Sequence, residues 1–353
     1  MGQKVALVLG ASGLVGSNLI KHLTTLSTWR VLGASRSKAV EGLDYKHVSF
    51  DLMKAAQCKD ALRKYPDITH VFIAARLKDA GFETMEKNNV TLIRNLLDAV
   101  EEAAPSLQHV HVVQGNKWYG SSSGPTRSDI PAREDDPRQM PPNPYYSQHD
   151  YLLHRQAGRR WSWSAIRPGA ILGFAPAYPN NLVTLVGAYA AISRELNLPL
   201  RFPGTETCFN LALVGVDVEI LCKAIVWISE HEACRNQAFN VTNGDPARWR
   251  QTWPVLADAL GVACAEPKTI PLADMMPQQQ PVWDRIAHRH GLRPVDICRI
   301  VDWRWMDYML RQSHDIVLAT GKIRRAGFHD CIETDATLVQ RLRELQASEV
   351  LPP

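Results

Sequence analysis

The stretch "KVALVLGASGLVGSNLIKHL", from Lys4 to Leu23, constrains the fold more than any other part of the chain. A run of aliphatic residues leads into a glycine cluster, and the cluster opens an amphipathic segment. Gly10 allows a tight turn out of a strand, Gly13 lets backbone approach a pyrophosphate, and Gly16 lets a helix pack against the sheet. The main chain of Ser12, Leu14 and Val15 lies in the same turn, where a helix N-terminus offers N–H donors and a positive dipole end. A glycine-rich structural turn is the simpler alternative, but the strand before and the helix after are what a dinucleotide site needs.

The next strand-like run, "WRVLGAS", should end beside an adenosine ribose. An acid there would favour NAD. The chain instead supplies Ser35, Arg36, Ser37 and Lys38, a guanidinium and hydroxyls suited to a phosphate, so NADPH is the expected cofactor. Three more strand-like runs, "KHVSF", "THVFIAA" and "QHVHVVQG", alternate with helical stretches. That alternation predicts an α/β fold, a doubly wound parallel sheet of Rossmann type. Ligands on such sheets bind beyond the carboxyl ends of the strands, which makes Asp51, Leu52, Ala74, Ala75, Arg76, Gln114 and Gly115 candidates to line the cofactor. Asp51 either reaches the adenine amino group or caps the helix that follows it.

Composition excludes several other classes. The 353 residues, 45% hydrophobic and 22% charged with a net charge of +4, are ordinary for a globular enzyme, and no basic block suggests nucleic acid. No apolar run reaches membrane-spanning length, and the first strand begins too early for a secretory leader. The seven cysteines show neither paired spacing nor a metal-ligand pattern, so a reducing, cytoplasmic setting is expected and no metal is.

Two stretches carry the chemistry. "VVQGNKWYGS" puts Lys117 and Tyr119 after a strand, and "NPYYSQHDYL" offers Tyr145 and Tyr146 with no lysine four residues on; His149 and Asp150 stand there instead. These stretches, with "GASGLVGSNL", "WSAIRPGAILGFAP", "LRFPGT" and "QAFNVTNGD", resemble the extended short-chain dehydrogenases, and more narrowly the progesterone 5β-reductase and iridoid synthase-like (PRISE) enzymes. The likeness runs through "VDWRWMD" to Gly327 and Phe328. In ordinary members of the superfamily, lysine follows tyrosine by one helical turn. In this subfamily it moves upstream into the loop after the fifth strand, which matches Lys117, and the tyrosine matches Tyr145.

The resemblance implies NADPH-dependent reduction of the carbon–carbon double bond of an activated enone or enal. Tyr145 would donate to the oxygen that becomes an enolate, while Lys117 would bias the field and hold the cofactor. Tyr146 is the alternative donor, Tyr119 faces either the pocket or the core, and Trp303 and Trp305, which by residue type read equally as core, are placed near the substrate by the resemblance. Pro168, Gly169, Ala170 and Ile171 would pass the nicotinamide carboxamide. Pairing as a homodimer is also implied. The serines of "KWYGSSSGPT" replace a pocket-walling aromatic, and Pro144 replaces another, so steroid reduction does not carry over.

From about Leu172 the pattern turns to longer helices with more tryptophan and proline. Residues 1–171 are expected to form the nucleotide-binding domain. Residues 172–353 are expected to form a smaller, mostly helical substrate-binding domain, interleaved through returning segments around 209–250. Met306, Tyr308 and Met309 read as core, and Phe202 and Phe209 have weak claims to the pocket. Three other functions remain open: an oxidoreductase of ketones, alcohols or sugar nucleotides, a non-redox cyclase, isomerase or dehydratase, and an inactive cofactor sensor.

Overall fold

The computed structural model describes residues 3–36, 39–77, 81–120, 130–175, 178–292 and 296–353. Its centre is a seven-stranded parallel sheet. β1 (Lys4–Leu9) pairs on one side with β2 (Trp29–Ser35), which pairs with β3 (Lys46–Ser49). On its other side β1 pairs with β4 (His70–Ile73), followed by β5 (His109–Val113), β6 (Ser162–Pro168) and, outermost, the strand Gln237–Val241. The register sets Leu7 opposite Leu32 and Val71, so aliphatic residues of neighbouring strands stack in rows. Strands covered on both faces can be apolar throughout, which is why "ALVL" does not alternate.

One face is covered by α1 (Leu14–Thr24) and the helix Val218–Glu230, which bury Leu19, Ile20, Leu221 and Ile225 against Ala6, Val8 and Phe72. On the other face, α2 (Ala55–Leu62), α3 (Phe82–Ala103) and α4 (Pro144–Gln156) bury Leu62, Leu96, Leu97 and Leu152 against Leu7, Val71 and Val110. The sheet is therefore the doubly wound one that the strand–helix alternation predicts.

A third core belongs to the later part of the chain. α5 (Leu182–Glu195), buried along most of its length, packs with Trp253, Trp283, Trp303 and Leu342. The helix Thr334–Ala347 is tied back by a buried ion pair: Arg341 Nε and Nη2 donate to both Asp217 oxygens at 2.9 and 2.8 Å. The strand Gln237–Val241 returns to complete the main sheet from within this part of the chain. None of the seven cysteines is paired, and no helix among the described residues is long and apolar enough to cross a membrane.

The topology puts the ends of β1, β2, β4, β5 and β6 along one edge. Gly10, Arg36, Ala74 to Arg76, and Gln114 with Gly115 follow directly from those ends.

Candidate active site

The nucleotide cradle is built by close approach. Gly10 sits at φ +83°, and a β-carbon there would come within 2.9 Å of the Ala75 nitrogen. At Gly16 it would lie 2.0 Å from the Gly10 carbonyl, so α1 packs on the turn only because both positions lack side chains. Gly13 forms the N-cap of α1, and the first turn of that helix holds no acidic residue to offset its positive end. Arg36 lies exposed just past β2, while the Ser35 hydroxyl contacts His47 Nε2 at 3.1 Å. Ser37 and Lys38 fall outside the described residues. Asp51 turns its carboxylate to the Met53 N–H at 3.0 Å; it closes a turn ahead of α2, whose N-cap is Lys54. Leu52 packs at the edge of the core beneath it. These residues fit a dinucleotide: the glycines leave the space, the helix end and Arg36 supply positive charge, and β2 ends in Ser35 and Arg36 rather than in an acid.

β5 ends in Gln114 and Gly115, and the turn Asn116–Tyr119 then carries Lys117. α4 begins opposite. Its N-cap is Asn143, whose Oδ1 accepts the Tyr145 N–H at 3.0 Å, with Pro144 in the first turn, where a missing N–H costs nothing. The same Asn143 side chain donates through Nδ2 to the Lys117 carbonyl at 2.8 Å. One amide thus fixes the start of the tyrosine helix against the lysine turn. The Tyr145 hydroxyl reaches Gly115, where a β-carbon would stand 3.2 Å from it. The phenol is therefore buried at the edge of the sheet where the cofactor cradle opens. Arg76, from the end of β4, donates through Nη1 to the same hydroxyl at 3.3 Å.

The other two candidate donors, Tyr146 and Tyr119, are engaged elsewhere. Tyr146 donates to the Trp118 carbonyl at 2.7 Å and accepts the Gln139 N–H at 3.0 Å. Tyr119 donates to Asn240 Oδ1 at 2.7 Å and accepts from Arg167 Nη1 at 3.3 Å; burial raises its pKa. Arg167, fully buried in β6, stacks 3.7 Å from the centre of the Trp118 ring and donates from Nε to Gln114 Oε1 at 3.0 Å. Its guanidinium braces both flanks of Lys117.

His149, one turn after Tyr145, is buried between Trp118 and Trp163, with Nδ1 3.3 Å from Gln114 Nε2. Burial first, then the positive charges of Arg167 and Arg138, hold its pKa down to about 4. The position that carries lysine in ordinary relatives is thus occupied by a neutral ring. Asp150 turns outward and forms a two-pronged ion pair with Arg138.

Gly169 approaches the Val214 carbonyl so closely that a β-carbon would lie 2.3 Å away. After Pro168, the Ala170 N–H donates to that carbonyl at 2.9 Å. Ala170 and Ile171 then run in β7 (Ala170–Leu172) alongside the strand Gly215–Asp217.

The model of the PRISE-like Rossmann-fold domain matches residues 18–315. The chain belongs to this family. A curated PRISE-type relative, the (S)-8-oxocitronellyl enol synthase of Nepeta racemosa, is 30% identical over 99% of this chain and 94% of its own length. The 3-oxo-Delta(4,5)-steroid 5-beta-reductase of Arabidopsis thaliana is 28% identical over the same shares. Among solved structures, the Bordetella bronchiseptica enzyme WbmG in complex with NAD superimposes with a TM-score of 0.68 at 15% identity, covering 99% of this chain and 96% of that one. An Agrobacterium tumefaciens short-chain dehydrogenase/reductase with bound NAD gives 0.69 at 14%, covering 98% of each. These two establish the extended short-chain dehydrogenase fold.

Within this PRISE-type site, sequence reasoning passed over three residues. Tyr308, in the helix Trp303–Met309 and expected in the core, is 40% exposed, and its ring lies 5.3 Å from Lys117 Nζ. Trp303 and Trp305 of the same helix pack instead with the third core, Trp303 buried and Trp305 partly so. Tyr178 stands near Arg76 and Tyr145, with its pKa raised chiefly by burial. Asn143 is the third. Only Asn143 left a local signal, an N-cap residue directly before proline. The serines after Gly120 lie outside the described residues.

Proposed function

We propose that the protein reduces the carbon–carbon double bond of activated enones or enals with NADPH. It is an oxidoreductase of the PRISE family, and the curated relatives include an enol synthase and a steroid 5-beta-reductase. The observation that carries the reading is the Tyr145 hydroxyl, buried against Gly115 beside the cofactor cradle while Tyr119 and Tyr146 are committed to other partners.

Gly10, Gly13 and Gly16 would hold the pyrophosphate, Arg36 the ribose phosphate, and the Pro168–Ile171 segment the carboxamide edge. When bound, the cofactor supplies a hydride to the β-carbon of the alkene. Tyr145 then donates its O–H to the carbonyl oxygen on which negative charge builds. A fixed donor of this kind lowers the barrier because its dipole is oriented before charge develops. Lys117 adds positive potential from the opposing turn, whose backbone Asn143 ties to the start of the tyrosine helix. His149, neutral and enclosed by tryptophans, does not take the place of the missing lysine. The α-carbon receives its proton from water.

Tyr145→Phe tests the assignment. Turnover of a simple cyclic enone, followed by loss of nicotinamide absorbance, should fall about 100- to 1000-fold, with NADPH affinity little changed. Unchanged turnover would reassign the donor to Tyr146 or to water.

A further inference from the structure

Arg76 exceeds what the reaction requires. Tyr145 and Lys117 already serve the oxygen and the cofactor, yet a second permanent cation has its Nη1 3.3 Å from the Tyr145 hydroxyl. It is not a loose surface arginine. Its backbone follows Ala75, which is wedged against Gly10, and precedes Leu77, whose N–H and carbonyl are both held by the Asn89 amide at 3.1 Å. The side chain is exposed toward the cleft, and its remaining N–H donors meet no protein acceptor among the described residues. Asp302, a carboxylate that also acts on Tyr178, forms no ion pair with Arg76; it accepts from Asn180 Nδ2 at 3.0 Å and caps the helix Trp303–Met309 through the Trp305 N–H at 3.0 Å. Tyr178 senses the charges of both Arg76 and Tyr145, so the three side chains lie in one neighbourhood.

We propose that Arg76 anchors a carboxylate, and that the preferred substrate is an enone or enal bearing an acid group close to its double bond. This rests on the enone-reductase reading. The planar fork of one guanidinium matches one carboxylate, two parallel N–H donors to two oxygens. A bound NADPH adds negative charge to the cleft, and a further anion enters only where a cation offsets it. With a neutral substrate the guanidinium keeps the Tyr145 hydroxyl as its protein partner and gains no charged one.

The test uses β-acetylacrylate and its methyl ester; because the ester group also activates the alkene, the quantity read is the change in their ratio between the protein and its Arg76→Gln variant. With the full-length enzyme and NADPH, Arg76→Gln should lower the acid-to-ester ratio of kcat/KM by about 10- to 100-fold, the worth of a charged hydrogen bond. Arg76→Lys should restore part of it. A readout without turnover accompanies it: levulinate should bind the NADP-loaded protein at least about tenfold more tightly than methyl levulinate, a gap that vanishes in Arg76→Gln. An acid-to-ester ratio that Arg76→Gln leaves unchanged, or levulinate bound no more tightly than methyl levulinate, overturns the proposal while simple enones still consume NADPH. If no enone is consumed, the enone-reductase reading fails, and the acid-substrate proposal falls with it.

Discussion

Acidification should unfold this protein over a narrow window, because four histidines are buried in neutral form. His70, His109 and His111 lie on β4 and β5 within the sheet. His109 bridges Ser162 and Ser164 at 2.8 and 2.7 Å, and His111 Nδ1 also meets Ser164 at 2.7 Å. Burial pushes His70 down to about 4, with Lys4 adding to the effect, and pushes His111 down to about 3. It holds His109 well below its ordinary value, and His149 stands at about 4. The unfolded chain takes up these protons as pH falls through about 6.5, whereas the folded chain refuses them until the lower values are reached. Stability is therefore fully present above the unfolded pKa and is lost as pH falls toward the folded one. Between about pH 7 and about pH 5, each of the three histidines with a stated value costs about 2 kcal/mol, together about 6 kcal/mol. That is a large share of a typical domain's stability of about 5–15 kcal/mol. Urea unfolding followed by circular dichroism at both pH values measures it. Carboxylates titrate lower, so the window isolates the histidines. His111→Asn should destabilise at neutral pH yet remove about 2 kcal/mol of the acid loss. Equal stability at both pH values would refute the reasoning, since it would require these rings to accept protons in place.

Two further perturbations probe the site. Asn143→Ser keeps a helix cap but loses the bond to the Lys117 carbonyl, whereas Asn143→Ala loses both. Ala should cost about 1 kcal/mol more stability than Ser by thermal melts, while both reduce turnover; activity retained in either would dissociate the lysine turn from the tyrosine helix. Arg36→Asp should weaken NADPH binding about 10- to 100-fold while leaving NADH nearly unaffected, read by fluorescence titration, and equal losses would contradict the phosphate assignment.

The glycine turn was legible in the sequence because each of its positions answers a local demand: a positive φ at Gly10, a helix contact at Gly16. The parallel, doubly wound sheet followed from strand-like runs alternating with helical stretches. The separated lysine and tyrosine stood out because their spacing departs from one helical turn. Which of three phenols faces the cradle was not legible. That depends on how the turn Asn116–Tyr119 rotates over Arg167, a residue about fifty positions away whose partners only the fold reveals. Tyr178 and Tyr308 reach Arg76 and Lys117 from the later part of the chain, and no periodicity marks such meetings. His149 looked like an ambiguous helix residue because its two tryptophan neighbours come from separate segments.

The most direct measurement is the product formed from cyclohexenone and NADPH by the full-length enzyme, identified by gas chromatography. Donors arranged to hold an enolate oxygen predict cyclohexanone, with the ring double bond gone and the carbonyl intact. The allylic alcohol, or no conversion of any enone while NADPH binds, would contradict the assignment of Tyr145 and Lys117 to conjugate reduction.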